Sequence, residues 1–317
     1  MEVISKLHNY YLKNCKPLVF VGEKRLASDK RCRMYFLDTT EENEKNNYRK
    51  LFQEYLFYYI CNNDIISCSK KLINAVSDDE ILEELLLQGK LVHDNHGIYP
   101  SSDLRRTGIY GELFNDFYLN IVKNEEILTT YDMRSTFRGD NIHGVDIVAF
   151  KKENDKLCLI FSESKFVESI SAASNNLKSD ISGSANEKGH VTKEYINAYS
   201  YFLLNKPHSS INNKNVELFI LNKINELNNC IINEHVTPIE AFNKLNIKVR
   251  FDFFAVYHDN NQVIDERKQF FDRIVDEFNN KIGETGINNY DIEVVFIPTK
   301  NSSVTLKQEM ETWNWIG

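Results

Sequence analysis

Hydrophobic and polar positions recur along this chain with two periods, and the switches between them predict its elements. From Asp103 to Val122 the spacing is helical. Ile109, Leu113, Phe117 and Ile121 form one ridge, and Tyr110, Phe114, Tyr118 and Val122 an adjacent one. Three strand-like runs follow, at Ile127–Met133, Gly144–Phe150 and Leu157–Lys165. Helical spacing returns at Phe166, Ile170, Ala173, Leu177 and Ile181, and again at Lys193–Leu204. Strands are expected at Lys248–Tyr257 and Asp291–Ile297, with an amphipathic helix between them from Val263 to Ile282. The span Asn215–Asn233 carries both patterns: Val216–Leu221 reads as strand and Lys223 onward as helix. The expected class is α/β, an αβββα core with a mixed sheet.

Upstream, residues 1–38 mix a short helix with strand-like runs at Leu18–Val21 and Met34–Leu37. Glu41–Asn62 is predicted as a long helix with Tyr48, Leu51, Phe52, Tyr55, Leu56 and Tyr59 on its apolar side. Helices continue at Ile65–Val76 and Asp78–Leu87, the second opened by the capping-box pattern Ser77-Asp78-Asp79-Glu80. The segment Gly89–Ser102, with Gly97 and Pro100, reads as a boundary. This divides the chain into a mostly helical region, 1–96, offering a partner or regulatory surface, and a second unit, 97–317. Leu306–Ile316 reads as a short helix or tail, its Trp313 and Trp315 suited to core packing or to a docking anchor.

Charge within the strand pattern changes the picture. Asp146 sits in the run Val145–Phe150, and Glu163 and Lys165 close the run that starts at Leu157. Such charges are costly unless they are paired or bind a metal. Side chains alternate along a strand, so Asp146, Val148 and Phe150 share a face, as do Leu157, Leu159, Phe161, Glu163 and Lys165. The polar patch Lys151–Lys156 reads as a hairpin loop. With Lys151 opposite Lys156, Asp146 faces Phe161, and Glu163 is its diagonal neighbour at about 7–8 Å between backbones. A shift of two residues would set Asp146 directly opposite Glu163; a shift of one would part them onto opposite faces. Two converging carboxylates, with the Ser164 carbonyl as a third oxygen, suit Mg²⁺, with Mn²⁺ as the alternative. Lys165 is then placed to orient a water or to stabilise charge growing on a phosphate.

The order Glu112 … Asp146 … Glu163-x-Lys165 resembles the PD-(D/E)xK nuclease superfamily, of restriction-endonuclease-like fold. Within it, Gly108-Ile109-Tyr110-Gly111-Glu112-Leu113, His143-Gly144-Val145-Asp146 and Phe161-Ser162-Glu163-Ser164-Lys165 resemble the DUF1837 family. That family contains the nuclease subunit of the Hachiman antiphage system, which works with a superfamily 2 helicase. The likeness covers about residues 100–205, and Val145 stands where the superfamily carries proline. It implies a metal-dependent DNase acting as a defence effector, controlled by a helicase encoded nearby. It carries over Asp146, Glu163 and Lys165 as catalytic and Glu112 as a supporting acid. By periodicity alone Glu112 falls at the edge of the apolar stripe and reads equally as a solvated glutamate, with Asp116 as its rival. Two other readings stand beside this one. The first is a sequence-specific restriction or repair endonuclease of the same superfamily. The second is a non-catalytic scaffold with a nuclease fold.

Composition narrows the rest. At 42% hydrophobic and 26% charged over 317 residues, a soluble globular protein is expected. No apolar stretch reaches membrane-spanning length, and the first residues lack the apolar core of a signal peptide. Six scattered cysteines without a C-x-x-C pair fit reduced thiols and a cytoplasmic location. No Gly-x-x-x-x-Gly-Lys sequence is present, so this chain is not itself a P-loop NTPase. The net charge of −8 cuts against an unaided grip on DNA, whose affinity comes from phosphate neutralisation. Arg105-Arg106, Arg134, Arg138, Lys151-Lys152 and Lys193 contact DNA if the fold gathers them, with His143 and His190 nearby; otherwise a partner delivers the DNA. His93-Asp94-Asn95-His96 lacks the further ligands of a zinc site and reads as a polar loop.

Overall fold

The computed structural model describes residues 2–16, 22–28, 32–38, 44–61, 63–96, 108–127, 146–183, 189, 191–204, 214–258 and 264–301. In chain order these form α1 (Glu2–Asn14), β1 (Gly22–Ser28), β2 (Cys32–Asp38), α2 (Glu44–Ile60), α3 (Asn63–Ser67), α4 (Lys70–Asn74), α5 (Asp78–His96) and α6 (Gly108–Phe117). A π-helical turn (Tyr118–Val122) then leads to β3 (Glu126–Ile127), β4 (Ile147–Glu153), β5 (Lys156–Val167) and α7 (Ile170–Ser182). The chain continues through α8 (Lys193–Leu204), α9 (Lys214–Glu234), α10 (Pro238–Lys244), β6 (Lys248–His258), α11 (Ile264–Thr285) and β7 (Tyr290–Thr299).

The strands make one mixed sheet in the order β1-β2-β7-β6-β5-β4-β3. β3, β4 and β5 are antiparallel neighbours, while β5, β6, β7 and β2 run parallel. Parallel strands are covered on both faces, which is why β5, β6 and β7 are nearly continuous apolar runs. On one face Val148, Phe161, Phe251, Phe253 and Val294 pack against α7, α9, α10 and α11, joined by Ile196 of α8. On the other, Ile147, Phe166, Phe254, Val256 and Val295 pack against α1, α2, α5 and α6. The expected α/β class with a helical N-terminal region is what the fold displays. The N-terminal hairpin β1–β2 is also woven into the common sheet, through β2 against β7.

Several boundaries differ from the sequence expectation, each for a local reason. β5 continues through Phe166 and Val167, which pair with Val256 and Tyr257, so the helix expected from Phe166 starts at Ile170. Ser169 caps it, its hydroxyl accepting from the Ala172 N–H at 3.1 Å. Val216–Leu221, read as strand, belongs to α9, because Ile220, Ile224, Leu227 and Ile231 carry one helical stripe into the core. α5 runs through Gly89 to His96, so His93 and His96 are helical rather than in a loop. Ser77 caps α5 by accepting from Glu80, whose carboxylate reaches the Val76 N–H at 2.7 Å rather than that of Ser77. The strand expected over Ile127–Met133 is described only at Glu126–Ile127. Leu18–Val21 and Leu306–Ile316 lie outside the described residues.

Candidate active site at the open end of the β4–β5 hairpin

The hairpin is tighter than its polar patch implies. The strands extend to Glu153 and Lys156, which pair, leaving Asn154 and Asp155 as a two-residue turn. Both have positive φ, 48° and 61°, the left-handed pair of a type I′ turn that matches the twist of its strands. The register is therefore Ile147 opposite Ser162 and Val148 opposite Phe161. The ladder ends at Ile147 and Ser162, and the same register carried one step further would set Asp146 opposite Glu163. This differs by two residues from the pairing of Lys151 with Lys156, and it keeps Asp146 and Glu163 on the same side of the alternation.

Just before β4, which begins at Ile147, the Asp146 carboxylate reaches across to Ser164 of β5: its Oδ2 accepts from the Ser164 N–H at 2.7 Å and from the Ser164 hydroxyl at 2.6 Å. A strand residue's N–H and C=O point to the same side, so the Ser164 carbonyl also faces the end where Asp146 lies. Asp146 and Glu163 are each only 5% exposed. Glu163 Oε1 accepts from Lys165 Nζ at 2.8 Å, and Asp180 Oδ2 of α7 lies 2.7 Å from the same ammonium. Burial alone would lower the basicity of Lys165. Glu163, then Asp180 and Asp146, outweigh it and hold the ammonium protonated well above the ordinary lysine range.

Glu112 approaches from the other helical layer. α6 crosses β5 at Gly111, where an added Cβ would lie 3.3 Å from Ser164 Oγ and 3.5 Å from Phe166. Asn115, one turn on, accepts from the Ser162 hydroxyl at 2.9 Å. Glu112 is buried, not solvated, and accepts from the Tyr59 hydroxyl of α2 at 2.8 Å. Asp116, its rival, is equally buried and takes the Tyr55 hydroxyl at 2.7 Å. The two acids, four residues apart on α6, thus meet two tyrosines four apart on α2. Lys193 opens α8, exposed, with its charge acting on Glu240 of α10. Arg134, Arg138, His143 and His190, like Arg105 and Arg106, lie outside the described residues.

The donors at this end are all oxygens: two carboxylates and a backbone carbonyl. That set fits Mg²⁺, which commonly takes one or two carboxylates and keeps several waters. Among the described residues no group of three or more His, Cys, Asp or Glu is arranged to hold a metal.

A family model described as HamA matches residues 14–311. The chain belongs to the HamA family. Comparison with curated proteins and with solved structures gave no match. The HamA match starts in α1 and takes in the N-terminal helices together with the hairpin, and it makes the chain a component of Hachiman antiphage defence. Among the described residues no helix is long and apolar enough to cross a membrane, and Cys15, Cys61, Cys68, Cys158 and Cys230 are not in disulfides.

This HamA-family chain also carries a buried polar group that sequence reasoning missed. Arg250 of β6 is 2% exposed and binds Asp252 through Nε and Nη2 at 2.8 and 2.7 Å. Its Nη2 also meets both oxygens of Glu125, at 2.8 and 2.7 Å. Glu293 pairs with Asp252 across β7, and Lys151 lies 3.4 Å from Glu125. The signal was present in Lys248–Tyr257, where Arg250 and Asp252 are charges two apart in an otherwise apolar strand, hence on one face. Asp180 left no such signal, since it is one polar residue on an amphipathic helix.

Proposed function

We propose that this chain is the metal-dependent DNase of a Hachiman-type antiphage system, hydrolysing DNA phosphodiesters under control of a superfamily 2 helicase. One observation carries the reading: Asp146, Ser164 and Glu163, all buried, and the half-buried Lys165 are hydrogen-bonded together at one end of the hairpin. Asp146, Glu163 and the Ser164 carbonyl would hold Mg²⁺, or Mn²⁺ in its place. When bound, such an ion supplies Lewis-acid polarisation of the phosphate and a more acidic water. Lys165 acts as a cation toward the phosphate oxygens. Glu112 supports from behind the strand through α6. The Ser164 hydroxyl and N–H fix the orientation of Asp146.

The net charge of −8 fits a nuclease restrained by weak DNA affinity, with the helicase supplying the basic track and feeding strands to the site. The test is cleavage of plasmid and linear DNA by the purified chain with Mg²⁺, with and without helicase and ATP. Robust cleavage is expected only with the partner, ATP and DNA bearing ends or single-stranded stretches. Asp146→Ala, Glu163→Ala and Lys165→Ala should each abolish it while the protein stays folded. Wild-type rates in the triple variant would sink the nuclease assignment. Rapid digestion of closed circular plasmid by the chain alone would refute only the restraint.

A further inference from the structure

We propose that Asp180 is a positioning residue that keeps Lys165 in the site when Glu163 is committed to a divalent ion; the inference rests on the nuclease reading above. Lys165 Nζ stands between two carboxylates, 2.8 Å from Glu163 Oε1 and 2.7 Å from Asp180 Oδ2. The two acids come from different elements. Glu163 lies two residues away on the same strand, and Asp180 lies in the last turn of α7. α7 is anchored by Ile170, Ala173, Leu177 and Ile181 in the core, so Asp180 is presented from a fixed support. The negative end of the α7 dipole adds to its attraction for an ammonium.

The need for such a residue follows from competition. An ammonium and a divalent cation cannot both sit against Glu163 without strong repulsion, since like charges that close repel strongly outside bulk water. A lysine on a flexible four-carbon stem, given nothing else to hold, would either compete for Glu163 or swing to solvent. Asp180 gives it a second anchor inside the site.

The test uses the full chain as wild type, Asp180→Asn, Lys165→Met and the double variant, titrated calorimetrically with Mn²⁺ after thermal melts establish that each is folded. Asp180→Asn should weaken Mn²⁺ binding about tenfold when Lys165 is present, and by less than about threefold in the Lys165→Met background. Asp180→Glu, which keeps the carboxylate, should recover most of the affinity. The same loss in both backgrounds would mean that Asp180 acts on the ion directly. No loss in either would make the ion pair incidental. Both results overturn the role assigned here while the nuclease reading stands. Failure of the wild type to bind Mn²⁺ at all would sink the nuclease reading and this inference together.

Discussion

Replacing Arg250 with methionine tests whether the buried polar group holds this sheet together. The guanidinium is the main cation facing Glu125, Asp252 and Glu293, each no more than 3% exposed, and it makes four contacts of 2.7–2.8 Å to the first two. Methionine fills much of the volume but leaves those carboxylates without it, and removing one partner of a buried ionic group costs about 3–5 kcal/mol. The loss should depend on pH, and its sign follows from Asp252. Burial, helped by Glu293 and Glu125 and opposed by Arg250, pushes that carboxyl up to about 7. Unfolded, it returns to about 3.9. The folded state therefore binds a proton that the unfolded state does not, and this group makes folding more favourable as pH falls from about 7 toward about 4. Without Arg250 the opposing influence is gone, so protonation relieves more in the variant than in the wild type. Urea denaturation followed by circular dichroism, at about pH 8 and about pH 5.5, should show a deficit that shrinks on acidification. A deficit under about 1 kcal/mol, or one equal at both pH values, would refute the reasoning.

Two further expectations concern single contacts. Tyr59→Phe removes one donor from buried Glu112 and should cost about 1–3 kcal/mol of stability while lowering cleavage, whereas Tyr55→Phe, acting on Asp116, should cost similar stability and spare cleavage; equal activities would deny Glu112 its supporting role. Asp155→Gly places glycine at a φ of 61° in the Asn154-Asp155 turn and gives up only an exposed pair with Lys152, so the melting temperature should rise by the equivalent of about 0.5 kcal/mol; a fall would contradict the I′ assignment.

The parts of the fold legible in the sequence are those set by local periodicity. α2, α6, β5, β6 and β7 each carry a long pattern with one reading, and all five fall near their expected places. The two-residue error in hairpin register has a definite origin. Asn154-Asp155 was absorbed into a six-residue polar patch, although both residues favour the left-handed conformation that closes a two-residue turn. Val216–Leu221 misled because a short apolar run rich in strand formers cannot be told from a buried helix segment until its neighbours are counted in. In the candidate site, Asp146, Glu163 and Lys165 were visible as charges misplaced in apolar strands. Asp180 and Tyr59 were not, because each meets its partner only through tertiary packing, with no offset in the sequence to signal it.

The helix that delivers Glu112 depends on the absence of a side chain at Gly111. An alanine Cβ there would lie 3.3 Å from Ser164 Oγ, tighter than ordinary contact, and 3.5 Å from both Cβ and N of Phe166. Two effects oppose each other in Gly111→Ala. Alanine is the better helix former by about 1 kcal/mol. The strand must then yield a few tenths of an ångström, and the atom that yields is the hydroxyl held by Asp146 at 2.6 Å. Stability should stay within about 1 kcal/mol of wild type, since the gain and the strain are of similar size. Cleavage should fall, because the displaced hydroxyl is one of the groups that orient Asp146. Gly111→Val carries two more methyl groups and a branched Cβ that cannot be accommodated by Ser164 alone. It should push α6 from β5 and cost about 1–3 kcal/mol. Thermal melts and cleavage rates on the same preparations separate the two effects. An alanine variant with wild-type cleavage and a valine variant with wild-type stability would together show that α6 does not dock at Ser164. The supporting role proposed for Glu112 would then lose its structural basis.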